Sequence, residues 1–160
     1  MKKENLIQHI WSILCSSSSI DSQTNNVSLY NIVEEVGFKL QQTNEQQVNF
    51  SEEKKWPFNV EVVSLWKRTN QGNLVADAKI ELLDPSNKKM QEVLYKLEFK
   101  PQHQRMRSII KMNGITITGQ GEYNFSILLK EDGSDKFKEI TRIPIVVKIT
   151  APTDLRLLQK

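Results

Sequence analysis

A chain of 160 residues is long enough to bury a core without staples, and its single cysteine, Cys15, excludes an intrachain disulfide. With 38% apolar and 26% charged residues it has the composition of a globular domain, not of a disordered tail. The formal charge of +3 falls far short of a dedicated nucleic-acid binder, and no run approaches the roughly 20 apolar residues of a membrane helix.

The N-terminus, MKKENLIQHIWSILCSSSS, has some features of a bacterial export signal. Lys2 and Lys3 precede an apolar stretch, and Leu14-Cys15 stands where a lipoprotein cleavage site would be. Gln8 and His9 interrupt that stretch, however, and Leu14 is large where a small residue is needed before the modified cysteine. The expected location is the cytoplasm, in keeping with the lone thiol. Residues 6–15 and 27–36, rich in Ile, Val, Leu and Trp, read as the first two strands, joined by a polar turn from Ser22 to Asn26. His9 and Cys15 share strand parity, but six extended residues put them about 20 Å apart, too far for a base and its nucleophile.

Residues 41–55 are polar, lack a sustained period, and read as a long loop. Trp56 then precedes Pro57 at a strand entrance and is expected to be the most exposed of the three tryptophans. Trp66 falls on the apolar row Phe58, Val60, Val62, Trp66 and is expected to fill the core. The next inward row is Leu74, Ala76, Ala78, Ile80 and Leu82. After the turn Asp84-Pro85-Ser86-Asn87 comes another, made of Val93, Tyr95, Leu97 and Phe99.

The segment from about 104 to 113 alternates less cleanly. His103, Arg105, Arg107 and Lys111 share a parity, so on a regular strand they point one way and could form an anion-binding strip with Lys100 nearby. A solvated face that discourages edge-to-edge pairing is the favoured reading, because no aromatic residue is interleaved to stack bases. Asn113-Gly114 reads as a turn.

Gly119-Gln120-Gly121 lacks the third glycine of a dinucleotide fingerprint, since position 124 is Asn, and it precedes a strand and not a helix. It reads as a corner, with Gly121-Glu122-Tyr123 similar to the tyrosine corner of immunoglobulin-like domains. Tyr123, Phe125, Ile127 and Leu129 form a further inward row. Glu131, Asp132 and Asp135 surround Gly133, but Asp-Gly between apolar strands favours a hairpin over a calcium loop. Ile143, Ile145, Val147 and Ile149 form the last row, with Pro144 tolerable only at an edge or a strand start. In the tail, 151–160, Thr153 or Asp154 can cap a short helix bearing Leu155, Leu157 and Leu158.

These motifs carry a resemblance. A short strand runs into Cys15, VSLYNI (Val27 to Ile32) returns from a polar turn, and ELLDPSNKKM and GQGEYNFSILLKEDG come after it. Over residues 6 to 149 the chain resembles a family of small bacterial proteins, with no assigned activity, that are expected to be immunoglobulin-like sandwiches. The 41–55 loop and the leucine-bearing tail depart from it. The resemblance implies the fold and a cytoplasmic bacterial setting, and it transfers no site residues.

The expected architecture is all-β: an antiparallel, immunoglobulin-like two-sheet sandwich of about eight strands over residues 1–150, followed by the tail. The expected function is a non-catalytic interaction module that binds a protein partner or itself, with Leu155, Leu157, Leu158 and Trp56 as candidate contacts. The alternative is anion or nucleic-acid binding through His103, Arg105, Arg107 and Lys111. No catalytic set, metal site, cofactor or membrane association is expected.

Overall fold

A computed structural model describes residues 6–39, 53–130 and 134–150. These residues contain nine strands and no helix: β1 (Ile7–Ile20), β2 (Val27–Ile32), β3 (Glu35–Lys39), β4 (Lys54–Arg68), β5 (Leu74–Leu83), β6 (Lys89–Phe99), β7 (Arg105–Ile117), β8 (Gly121–Lys130) and β9 (Lys138–Thr150). One sheet has the order β2-β1-β4-β7 and is antiparallel throughout. The other has the order β3-β9-β8-β5-β6, and in it β3 runs parallel to β9. Gln91 Nε2 of β6 donates to the Gly114 carbonyl of β7, so along this side the two sheets close towards a half-barrel.

The expectation of about eight, wholly antiparallel strands is therefore corrected. Residues 27–36, read as one strand, divide at Val33-Glu34. Asn31 takes a left-handed conformation (φ 50°) within β2, the pairing with β1 closes at Ile32 and with the Val33 amide on the Leu14 carbonyl, and the chain then crosses to the other sheet. There Val36 and Phe38 face the core, and the short strand lies alongside the last one in the same direction. The segments 40–52, 131–133 and 151–160 lie outside the described residues, and with them most of the 41–55 loop, the tail helix, Leu155, Leu157 and Leu158. Strand β4 begins inside the stretch read as loop, at Lys54.

Period-2 alternation builds the core where strands are regular. Ala78, Ile80 and Leu82 of β5 and Tyr123, Phe125 and Ile127 of β8 are all fully buried, and Trp66 is buried beneath them as expected. Its indole Nε1 donates to Ser108 Oγ at 3.0 Å, which satisfies the one polar atom that such a residue brings inside. Pro144 sits within β9 opposite Asn124, yet β3 begins pairing only at Val146, so the missing N–H has no partner strand to disappoint.

The pairing slips at four places among the described residues, and the two in the first sheet redirect side chains read from the sequence. Between His9 and Trp11 the pairing of β1 with β4 slips by one residue. His9 pairs with inward Trp66, whereas Trp11, Ile13 and Cys15 turn to the outer face and Leu14 joins the core. The shared parity of His9 and Cys15 thus places them on opposite faces, because the sequence carries no sign of the extra residue. A second slip sets Pro57 and Phe58 of β4 against Gly114 of β7. Asn113-Gly114 is accordingly no turn: the chain runs straight on, with Gly114 at φ 81°. A Cβ there would stand 2.9 Å from the Trp56 carbonyl, so glycine is required by contact as well as by conformation.

The corner before β8 is built as a latch. Gly121 takes φ 143°, and a Cβ on it would meet Pro85 Cγ at 2.6 Å. Tyr123 then reaches back: its hydroxyl donates to the Gly119 carbonyl at 2.9 Å and accepts from the amides of Thr118 (2.9 Å) and Gly119 (3.1 Å).

Asp84 organises the turn after β5. Its Oδ1 accepts from the amides of Ser86 and Lys88, both at 2.8 Å, and from Ser86 Oγ at 2.7 Å. Burial pushes the carboxyl upward, but these bonds and the nearby Lys88 charge outweigh it and hold the pKa below the ordinary value. A lowered folded-state pKa gives stability that is present above the ordinary carboxylate range and lost as pH falls through it. Asp84→Ala is expected to cost about 2 kcal/mol at pH 7. It should also flatten the acid limb of a urea-midpoint series between pH 7 and pH 3.

Candidate ligand-binding cleft

Beyond Cys15, β1 leaves β4 but stays paired with β2, so residues 16–32 form a hairpin arm. The arm folds over the outer face of the first sheet. Ser18 Oγ bonds the Glu61 carboxylate, and Arg107 Nη2 donates to the Asn25 carbonyl near the arm's tip. Asp21 caps that tip through the amides of Gln23 (2.9 Å) and Thr24 (2.6 Å). Beneath the arm Cys15 and Val63 are fully buried although they point away from the core.

Between arm and sheet lies a cleft of about 560 Å³, lined by the arm residues Ile20, Asn25, Asn26 and Val27 and by Trp11, Leu65, His103, Arg105, Met106 and Arg107 of the sheet side. That volume is within the range of small-molecule sites. One rung of the sheet sets its floor: Trp11 of β1 opposes Leu65 of β4, which opposes Arg107 of β7. Neighbouring strands lie about 4.8 Å apart, so indole and guanidinium spring from backbones about 10 Å apart.

The basic strip read from the sequence divides in two. His103 precedes β7 in a turn closed by its amide to the Lys100 carbonyl, and with Arg105 and Arg107 it lines the cleft. Lys111 is drawn off to Glu61, 3.4 Å away. Arg105 has no ion-pair partner among the described residues. Arg107 uses Nη2 on Asn25, while its Nη1 is buried without a hydrogen-bond acceptor. The aromatic neighbour that the strip lacks in sequence comes from β1, as Trp11. No local signal announces it, since the bulge at Ile10 alone turns Trp11 outward.

Trp56, expected to be the most exposed of the three tryptophans, is half-buried, as Trp11 is. It lies inside β4 opposite Ile115, and its ring packs on Phe38 with centroids 4.5 Å apart. The crossing of β3 to the second sheet supplies that cover. Trp56, Pro57, Asn59 and Gly114 line only a smaller depression of about 300 Å³ at the bulge.

Two constellations have the outline of reactive chemistry. His9 Nε2 is 2.7 Å from Ser12 Oγ, which is 2.7 Å from Ser64 Oγ. Ser64 is fully buried, and the His9 ring stands edge-on to Trp66 at 5.1 Å. Burial pulls the His9 pKa below the ordinary imidazole value, opposed by a backbone hydrogen bond with Trp11. The chain of hydroxyls satisfies polar groups between the sheets, with no room for a substrate at Ser64. Cys15 donates to the Glu61 carbonyl at 3.8 Å, and burial followed by the Glu61 charge pushes its thiol pKa up, away from a reactive thiolate. Among the described residues no three His, Cys, Asp or Glu side chains gather as metal ligands.

The cleft under the hairpin arm thus joins a basic wall, an indole and apolar side chains in one site, and no known family model or curated protein matches the chain to lend it a function.

Proposed function

We propose that this protein is a non-catalytic binding module, of immunoglobulin-like build, that takes an anionic ligand in the cleft between the β1–β2 arm and β7. The carrying observation is the convergence of His103, Arg105 and Arg107 on one cleft, with a guanidinium nitrogen of Arg107 buried and unpaired. A buried donor without an acceptor is costly, and an anion admitted by a small shift of the arm tip would offset that cost. The immunoglobulin-like reading is supported by the order β6-β5-β8-β9 facing β4 and β7, and by the Tyr123 latch at the start of β8.

A second reading, docking of a protein partner by strand addition, rests on β2, an edge strand among the described residues, with Tyr30 and Ile32 exposed. The left-handed Asn31 interrupts that edge and weighs against it.

Dextran sulfate serves as a generic polyanion to test the cleft. Binding should weaken steeply between 50 and 200 mM salt. The double variant Arg105→Ala/Arg107→Ala should bind roughly tenfold more weakly or worse, with its thermal unfolding checked alongside. Lys148→Ala, on the opposite sheet, should bind as the wild type does. Equal binding by the double variant, or binding indifferent to salt, would reject the cleft as the site.

A further inference from the structure

The cleft's own chemistry narrows the class of anion, in an assignment that rests on anion binding in this cleft. A site for sulfate or for an acidic peptide needs donors and positive charge, but it has no use for an indole. Here Trp11 and Leu65 continue the floor that Arg107 ends, and Ile20 and Val27 of the arm close over it. One end of the cleft is therefore flat and apolar, and the other is cationic. The side-chain amides of Asn25 and Asn26 at the arm tip offer both donors and acceptors beside them. An aromatic, hydrogen-bonding ring linked to a phosphate presents the matching sequence of groups.

We propose that the cleft binds a nucleotide, its base against Trp11 and its phosphate on Arg105 and Arg107. The arm roofs the floor on one side, so a duplex cannot lie across it. The nucleotide is either free or one residue of a single strand. Both sources share this chemistry, and chain length separates them.

The test uses the full chain carrying Trp56→Phe. Because Trp66 is fully buried, quenching then reports on Trp11. Adenosine and uridine 5′-monophosphates, an oligothymidylate of twelve residues and inorganic phosphate are titrated in turn. The expected result is saturable quenching by the nucleotides, and none at the same concentration by phosphate alone. Affinity, read by calorimetry, should fall roughly fivefold to hundredfold in Trp11→Ala and also fall in Arg107→Ala. Trp11→Leu keeps the floor apolar while removing the π-face, so it should show the same loss and keeps the test readable if Trp11→Ala does not fold.

Tighter binding of the oligonucleotide than of the monophosphates assigns the site to single strands, and equal binding assigns it to free nucleotides. If dextran sulfate binds through Arg105 and Arg107 while nucleotides do not bind, or bind regardless of Trp11, the nucleotide assignment is wrong and the anion cleft stands. If neither nucleotides nor dextran sulfate respond to the arginines, both readings fall.

Discussion

Tyr123→Phe is expected to destabilise the protein by about 2–3 kcal/mol, although it removes a single oxygen. That oxygen serves three backbone groups of the corner: it donates to the Gly119 carbonyl and accepts from the amides of Thr118 and Gly119. The tyrosine ring is fully buried, so phenylalanine keeps the packing and isolates the polar loss. The corner has little freedom to find other partners, because Gly121 is held at φ 143° against Pro85. Urea denaturation would measure the change, with Tyr30→Phe as the control. Tyr30 is half exposed, and its hydroxyl only meets Ser19 Oγ at 3.2 Å on the surface. A Tyr123→Phe midpoint no lower than that of the control would show that the latch contributes nothing.

The alkaline limb of stability should be steeper than surface tyrosines would produce, and Tyr95 is its source. Burial pushes the Tyr95 pKa up to about 12, only partly offset by neighbouring Ser108. The Tyr95 hydroxyl is buried and makes no hydrogen bond of normal geometry. Between pH 10 and pH 12 the unfolded chain releases this proton while the folded chain keeps it. The unfolded state then binds fewer protons, so stability falls as pH rises. Two pH units correspond to about 2–3 kcal/mol, most of it lost by pH 12 and the rest as pH rises through the folded value. Tyr95→Phe removes both the titration and an unsatisfied hydroxyl. It should be as stable as the wild type or slightly more so at pH 8, and its advantage should grow by that amount as pH is raised. An advantage that stays constant from pH 8 to pH 12 would contradict the assignment.

One physical distinction separates the legible parts of the sequence from the rest. Residues 74–82 and 123–129 belong to regular strands with one buried face, and there alternation alone names the inward side chains. Pattern reading fails where a strand gains a residue. The extra residue at Ile10 sends Trp11 and Cys15 to the face opposite His9, and the one at Pro57-Phe58 makes Asn113-Gly114 a bulge partner in place of a turn. A single inserted residue leaves composition and periodicity nearly untouched, yet it reverses every side chain beyond it. Strand β3 is hidden for another reason: five residues are too few for a pattern, and their partner lies at the far end of the chain.

The cleft is legible only in halves. His103, Arg105 and Arg107 are neighbours in sequence and stand out as a basic strip. Their coming together with Trp11 depends on β4 lying between β1 and β7, and their enclosure depends on the arm curling back over the sheet. Both are relations between distant segments, which no local spacing records. Lys111 shares the strip's parity but not its fate, because Glu61 faces it across the strand pair.

The pairing of β3 with β9 also sets an order of events during synthesis. On the order of a hundred residues separate the two, so at ribosomal speeds β3 waits on the order of 10 s for the strand it pairs with among the described residues to be made. Until then the inner face of Val36 and Phe38 has no sheet to join. The domain therefore completes its second sheet only when its last strand is released, and a chain stopped short of Lys138 leaves β3 as an unclaimed edge.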